Sequence, residues 1–141
     1  MELNNAYLDI NVILDLLLKR EPNWSPIAEL FQHAQAGKIK LYTSPISFDT
    51  VYYILRRSEL SDQQARRKIK ILLRFVEPTQ INKSIIESAL SEKFRDFEDG
   101  IHIRCAEEAD LDIIVTSNTK DFKVAQIATF DPITLLKLIK S

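Results

Sequence analysis

The chain has 141 residues, 45% of them hydrophobic and 28% charged, with a formal net charge of −1, which suits one ordinary domain with a buried core. One cysteine (Cys105) and two histidines (His33 and His102) exclude a disulfide framework and a zinc site built from cysteine or histidine. No apolar stretch reaches the ~20 residues of a membrane span, and MELNNAYLD lacks a basic start and a cleavage signal, so the expected compartment is the cytoplasm.

Short apolar runs alternate with longer helical patterns along the chain. AYLDI predicts a buried strand, and VILDLLLKR after it a helix. SPIAELFQHAQAGK predicts a helix with Ser25 as N-cap, Pro26 at its first position and Gly37 at its stop; Trp24 then serves as a hydrophobic staple. IKLYTS predicts the second strand, ended by Pro45, and ISFDTVYYILRR the next helix. Ser61 and Gln64 form a capping box that opens DQQARRKIKILLRF. FVEP, DIIVTS and QIAT predict three more strands. NKSIIESALS and residues 97–109 predict the helices between them, and Asp131 with Pro132 caps a last one. Strands alternating with helices, without a tight hairpin signal, imply one domain over 1–141: a three-layer αβα sandwich around a mainly parallel sheet of four to five strands.

Charge is unevenly spread. Residues 56–74 carry seven basic groups against two acidic, and residues 87–112 carry nine acidic against three basic. Arg56, Arg57, Arg66, Arg67, Lys68 and Lys70 are therefore candidates for holding a nucleic-acid backbone, with a solvated helix exterior as the plainer reading. Tyr52 and Tyr53 are candidates for stacking on bases, or for core packing.

Carboxylates fall where a parallel sheet keeps its functional crevice, beyond the carboxyl ends of the strands. Asp9 ends the first strand and Asp49 lies in the helix after the second. Asp96 and Asp99 open the helix 97–109, and Asn118 and Asp121 follow DIIVTS. At ~100° per residue, Asp99 falls on the arc of Ile101, His102, Ile103, Cys105, Ala106 and Ala109, while Arg104, Glu107 and Glu108 point away. A buried carboxylate needs a cation, a donor or a proton, and a divalent ion would answer both burial and mutual repulsion. Taken singly, these residues are also ordinary helix caps and turn residues.

YLDINVILD resembles the opening of PIN domains, and DFEDGIHIRCAEEADLDIIVTSNTKDF resembles their end. With the element order, the resemblance covers essentially the whole chain and lies nearest to small VapC-type toxins of toxin–antitoxin pairs. It implies a Mg²⁺- or Mn²⁺-dependent endoribonuclease. Asp9 and Asp99 correspond to the core metal ligands and Asp96 to an accessory acid. Asn118 and Asp121 fall where the last site residues lie, and Thr116 near that loop. The family usually has Glu where Asp49 stands, Asp where Asn118 stands, and Ala at Gly100. RNA, a small antitoxin protein and a second copy in a homodimer are the partners expected. The altered positions leave open a catalytically weak or inactive PIN-like module that binds RNA or protein; a phosphate-receiver protein is a third reading.

Overall fold

A computed structural model describes residues 3–140. Five strands form one sheet in the order β3-β2-β1-β4-β5, and every neighbouring pair is parallel. The strands are β1 (Asn5–Leu8), β2 (Lys40–Thr43), β3 (Val76–Pro78), β4 (Ile113–Val115) and β5 (Ala128–Phe130). Seven helices connect and flank them: α1 (Ile10–Leu17), α2 (Trp24–Gln35), α3 (Pro45–Arg57), α4 (Asp62–Phe75), α5 (Lys83–Ala89), α6 (Phe97–Glu108) and α7 (Pro132–Lys140). The expected αβα architecture holds, and the sheet is wholly parallel. No helix among the described residues is long and apolar enough to cross a membrane.

The strands are short and buried, so alternation along them sorts side chains between two cores. Ala6 and Leu8 of β1, with Ile113 and Val115 of β4, join the core under α1, α2, α3, α4 and α7. Tyr7 and Ile114 face the opposite way, into a smaller core with α5 and α6. This is the period-2 geometry of a strand dividing one buried sheet into two faces.

Helix ends follow the predicted chemistry in most places. Ser61 accepts from Gln64 N at 3.1 Å while the Gln64 side chain accepts from Ser61 N at 2.8 Å, a complete capping box. Ser44 caps α3, ahead of Pro45, and Asp131 accepts from Thr134 N at 2.8 Å. α2 differs. It starts at Trp24 with Asn23 at the cap position, because Ser25 is drawn instead to the Glu21 carboxylate. Trp24 is thus inside the helix rather than a staple before it. Pro26 remains tolerated because first-turn N–H groups have no helical partner.

Candidate metal centre

The site begins with Asp9, one residue past β1. Its N–H donates to Val115 O at 3.0 Å, extending the β1–β4 ladder, and its extended backbone makes it the N-cap of α1. The side chain is 6% exposed. One carboxylate oxygen accepts from Ile10 N at 2.8 Å, the other from Thr116 Oγ1 at 2.9 Å. Burial pushes the Asp9 carboxyl above its ordinary range, against the opposing pull of His102 and of these two donors. Thr116 also accepts from Asn118 N at 3.0 Å, so one hydroxyl joins Asp9 to the turn after β4.

α6 delivers the second carboxylate. Asp96 is its N-cap, accepting from Asp99 N at 3.0 Å, so it performs the plain capping role and also stands beside Asp99. Asp99, half-buried, is pushed up to about 6, first by burial and then by the like charges of Asp96, Asp9 and Asp121. Residues 90 positions apart in sequence are therefore close enough to repel one another. Across the cleft, Asn118 Nδ2 donates to Asp121 at 2.5 Å. Among the described residues, neither Asp9 nor Asp99 forms an ion pair with lysine or arginine.

Asp49 stands on the exposed side of α3. Ser47, Val51 and Leu55 form the buried stripe of α3, and Asp49, two residues and about 200° from Ser47, is exposed. Gly100, in contrast, gains an explanation. A Cβ there would stand 2.9 Å from Phe94 Cγ and 3.0 Å from the Ala89 carbonyl oxygen, so glycine lets α6 lie against the end of α5. Ala109 is exposed, whereas Arg104 and Glu107 are half-buried and paired at 2.8 Å rather than pointing freely outward.

Beneath Asp99 runs a buried polar chain that the sequence pattern did not predict. His102, 1% exposed, has Nδ1 2.5 Å from the Tyr7 hydroxyl. That hydroxyl accepts from Ser44 N at 3.1 Å. Burial holds the Tyr7 phenol far above its ordinary range, so it keeps its proton and shares a hydrogen bond with Nδ1. The second ring nitrogen of His102 is Nε2. This atom has no hydrogen-bond partner and lies 3.8 Å from Glu98 Oε1. The imidazole holds Glu98 below the usual carboxylate range. The helical spacing of Glu98 and His102 was legible; Tyr7, 95 residues away, was not.

Asp96, Asp99 and Asp121 line an open cleft of about 370 Å³ together with Lys93, Phe94, Arg95, Lys120 and Val124. The basic stretch lies elsewhere, on α3 and α4. There Asp62 receives Arg66 Nε at 2.9 Å and lies 3.9 Å from Arg56. Asp62 also accepts from Tyr52, and Arg57 lies over the Tyr53 ring. Tyr52 packs partly against the larger core, while Tyr53 is 61% exposed.

Among the described residues no three acidic, histidine or cysteine side chains converge into a ready cage for an ion. Mg²⁺ does not require one: it keeps several waters and is commonly held by one or two carboxylates plus substrate phosphate. The pair Asp9 and Asp99, which forms no ion pair with lysine or arginine among the described residues, fits that mode of binding.

Comparisons with known proteins agree with this architecture. The chain is 28% identical over 127 residues to Ribonuclease VapC1 of Aquifex aeolicus, a match covering 86% of each sequence. In fold it is similar to a chain of VapBC-1 from nontypeable Haemophilus influenzae, with TM-score 0.69, 21% identity and 92% and 98% of the two chains covered. It is also similar to a chain of a toxin–antitoxin complex from Klebsiella pneumoniae, with TM-score 0.67, 22% identity and 90% and 97% covered. The family profile described as PIN domain matches residues 5–120, which takes in four of the five strands and every candidate site residue up to Lys120; the chain belongs to the PIN domain family.

Proposed function

We propose that the protein is a Mg²⁺- or Mn²⁺-dependent endoribonuclease and the toxin half of a toxin–antitoxin pair. The observation that carries this reading is the convergence of Asp9 and Asp99 from opposite ends of the chain without a balancing lysine or arginine. Burial raises the Asp99 carboxyl first, and the like charges of Asp96, Asp9 and Asp121 raise it further; a divalent ion would relieve that repulsion. The likeness to a curated ribonuclease and to a chain from a toxin–antitoxin complex supports the substrate class and a small antitoxin as partner. A homodimer is part of the same proposal.

Asp9 and Asp99 would hold the ion, with Asp96 and Asp121 as outer acids and Asn118 orienting Asp121. When bound, the ion supplies neutralised phosphate charge and an activated water for phosphodiester hydrolysis. The chain's own residues do the rest. Thr116 fixes one oxygen of Asp9, the Ile10 N–H fixes the other, and Asp96 anchors the N-terminus of α6 so that Asp99 faces the cleft.

The test pairs binding with cleavage. Calorimetric titration of Mn²⁺ should give binding by the wild-type protein and strong loss in Asp99→Asn. Metal-dependent RNA cleavage should fall by on the order of 10² or more, as when a transition-state stabiliser is removed. Asp49 and Asn118, standing where the family usually has Glu and Asp, favour a second reading, a PIN-like module that binds RNA or protein without cutting it. Mn²⁺ binding with no cleavage of any RNA by wild type would select that module.

A further inference from the structure

The 370 Å³ cleft that holds Asp96, Asp99 and Asp121 is also lined by three cations, Lys93, Arg95 and Lys120. With three carboxylates and three cations in so small a space, pairing is the default expectation. It does not occur. Among the described residues, none of the three cations forms an ion pair, and all three are exposed. The side-chain contact observed is Lys93 Nζ, 5.5 Å from the centre of the Phe94 ring. Positive charge held beside negative charge but left unpaired leaves its donors available to an anion arriving from outside.

The cleft wall limits how that anion is recognised. Phe94 is 8% exposed. Besides Lys93, it has the Arg104 guanidinium 5.0 Å from its ring centre and Gly100 closely packed behind it. Among the residues lining the cleft this leaves no free aromatic face on which a base could stack, the usual device of a base-gripping single-strand groove; the exposed Phe97 ring lies outside that lining. Val124, 40% exposed, offers only a small apolar contact. What the cleft presents is lysine and arginine donors suited to phosphate oxygens. The open cleft, about 370 Å³, has room for a nucleotide unit.

The basic stretch of α3 and α4 is differently arranged. Arg66 and Arg56 are engaged by Asp62, and Arg57 by Tyr53. Density of positive charge is greater there, but part of it is already answered within the chain.

Resting on the nuclease reading above, we propose that Lys93, Arg95 and Lys120 form the phosphate-gripping rim that seats single-stranded RNA in the acidic cleft, through its backbone and with little preference among bases. Lys120 and Asp121 come from the turn after β4, and Lys93 and Arg95 from the approach to α6. The two segments that supply the carboxylates thus also supply the cations that offset the polyanion's repulsion from them.

Binding of a labelled, mixed-sequence single-stranded oligoribonucleotide, followed by fluorescence anisotropy over a salt series in EDTA, tests this. Arg95→Gln with Lys120→Gln should flatten the slope of log binding constant against log salt by about 1.4, at about 0.7 per lost phosphate contact on a single strand. The same double variant should bind Mn²⁺ at least as well as wild type, since neither residue is a metal ligand and local positive charge is removed. Arg67→Gln, Lys68→Gln and Lys70→Gln together should change the slope less than the cleft pair does. An unaltered slope in the cleft pair alongside a flattened slope in the α4 triple would overturn the assignment. Equal binding of a blunt duplex RNA would overturn its single-strand part. If wild type binds Mn²⁺ and RNA but the cleft pair is inert, this inference fails alone; if wild type binds neither, the nuclease reading fails with it.

Discussion

The two faces of the sheet are built from the same strands yet are chemically unlike. The face under α1, α2, α3, α4 and α7 is filled by Leu, Ile, Val, Ala and Phe. The face under α5 and α6 is smaller and admits Tyr7 and Cys105 among its apolar side chains, with buried His102 bonded to Tyr7. The larger face fixes the sheet. On the smaller face, polar groups form a chain from the Ser44 N–H through Tyr7 and His102 toward Glu98, beside the cleft. A buried polar chain is costly unless its members are paired, and its one orphan, His102 Nε2, faces the acidic helix start. The difference teaches that stability and site chemistry are divided between the faces, and mutations should separate them.

The largest effect is expected on the apolar face. Leu30, 1% exposed on α2 and part of the larger apolar core, should on substitution to alanine cost about 2–5 kcal/mol of stability through lost burial and a residual cavity. Urea denaturation measures the cost, and Mn²⁺ affinity per folded molecule should stay at the wild-type value. Loss of metal binding by the fully folded variant would break the division between the faces.

A smaller effect is expected where α6 meets α5. Gly100→Ala places a methyl group within 2.9 Å of Phe94 and 3.0 Å of a backbone oxygen. The Phe94 ring can yield; the Ala89 carbonyl moves only with its helix. Overpacking of this kind costs about 1–3 kcal/mol, and the shift falls one residue from Asp99. Here stability and Mn²⁺ affinity should drop together, unlike in Leu30→Ala. A variant as stable as wild type would show that α5 and α6 separate readily.

The smallest effect is one of pH. The Asp99 carboxyl lies at about 6 in the metal-free fold, above its ordinary 3.8, so the folded chain binds this proton more tightly than the unfolded chain does. Its contribution to stability is full below the ordinary value and lost as pH rises through about 6. The metal-free melting temperature of wild type, relative to Asp99→Asn, should therefore decline between about pH 4 and pH 7. Saturating Mn²⁺ should reverse the trend, because the ion binds the ionised carboxylate. Parallel melting curves for the two proteins across that range would remove Asp99 from the repelling group.

Much of this division was legible before folding. The alternation of short apolar runs with amphipathic helices specified a parallel α/β sheet, because burial on both faces of a strand and one face of a helix leaves different periods in the sequence. Caps at Ser61, Asp96 and Asp131 were readable because a cap is a contact between near neighbours. Asp9, Asp96 and Asp99 were readable as a group because strands of a parallel sheet all end at one edge. Local rules misled where neighbours compete: Ser25 resembles an N-cap, but Glu21 engages it and α2 starts earlier.

Tertiary structure decided what no period encodes. The rotation of α3, set by the packing of Ser47, Val51 and Leu55, turned Asp49 toward solvent. The approach of α5 to α6 gave Gly100 its reason. Strand order placed β1 beside β4, so that Asp9 meets Thr116 across 107 residues, and the packing of α6 against the sheet brought Tyr7 to His102 across 95. Lys120, beside Asp121 in sequence, came to share a cleft with Lys93 and Arg95. Periodicity tells which side of an element is buried; which residues then meet depends on the order and tilt of whole elements, which are settled by how all of them pack at once.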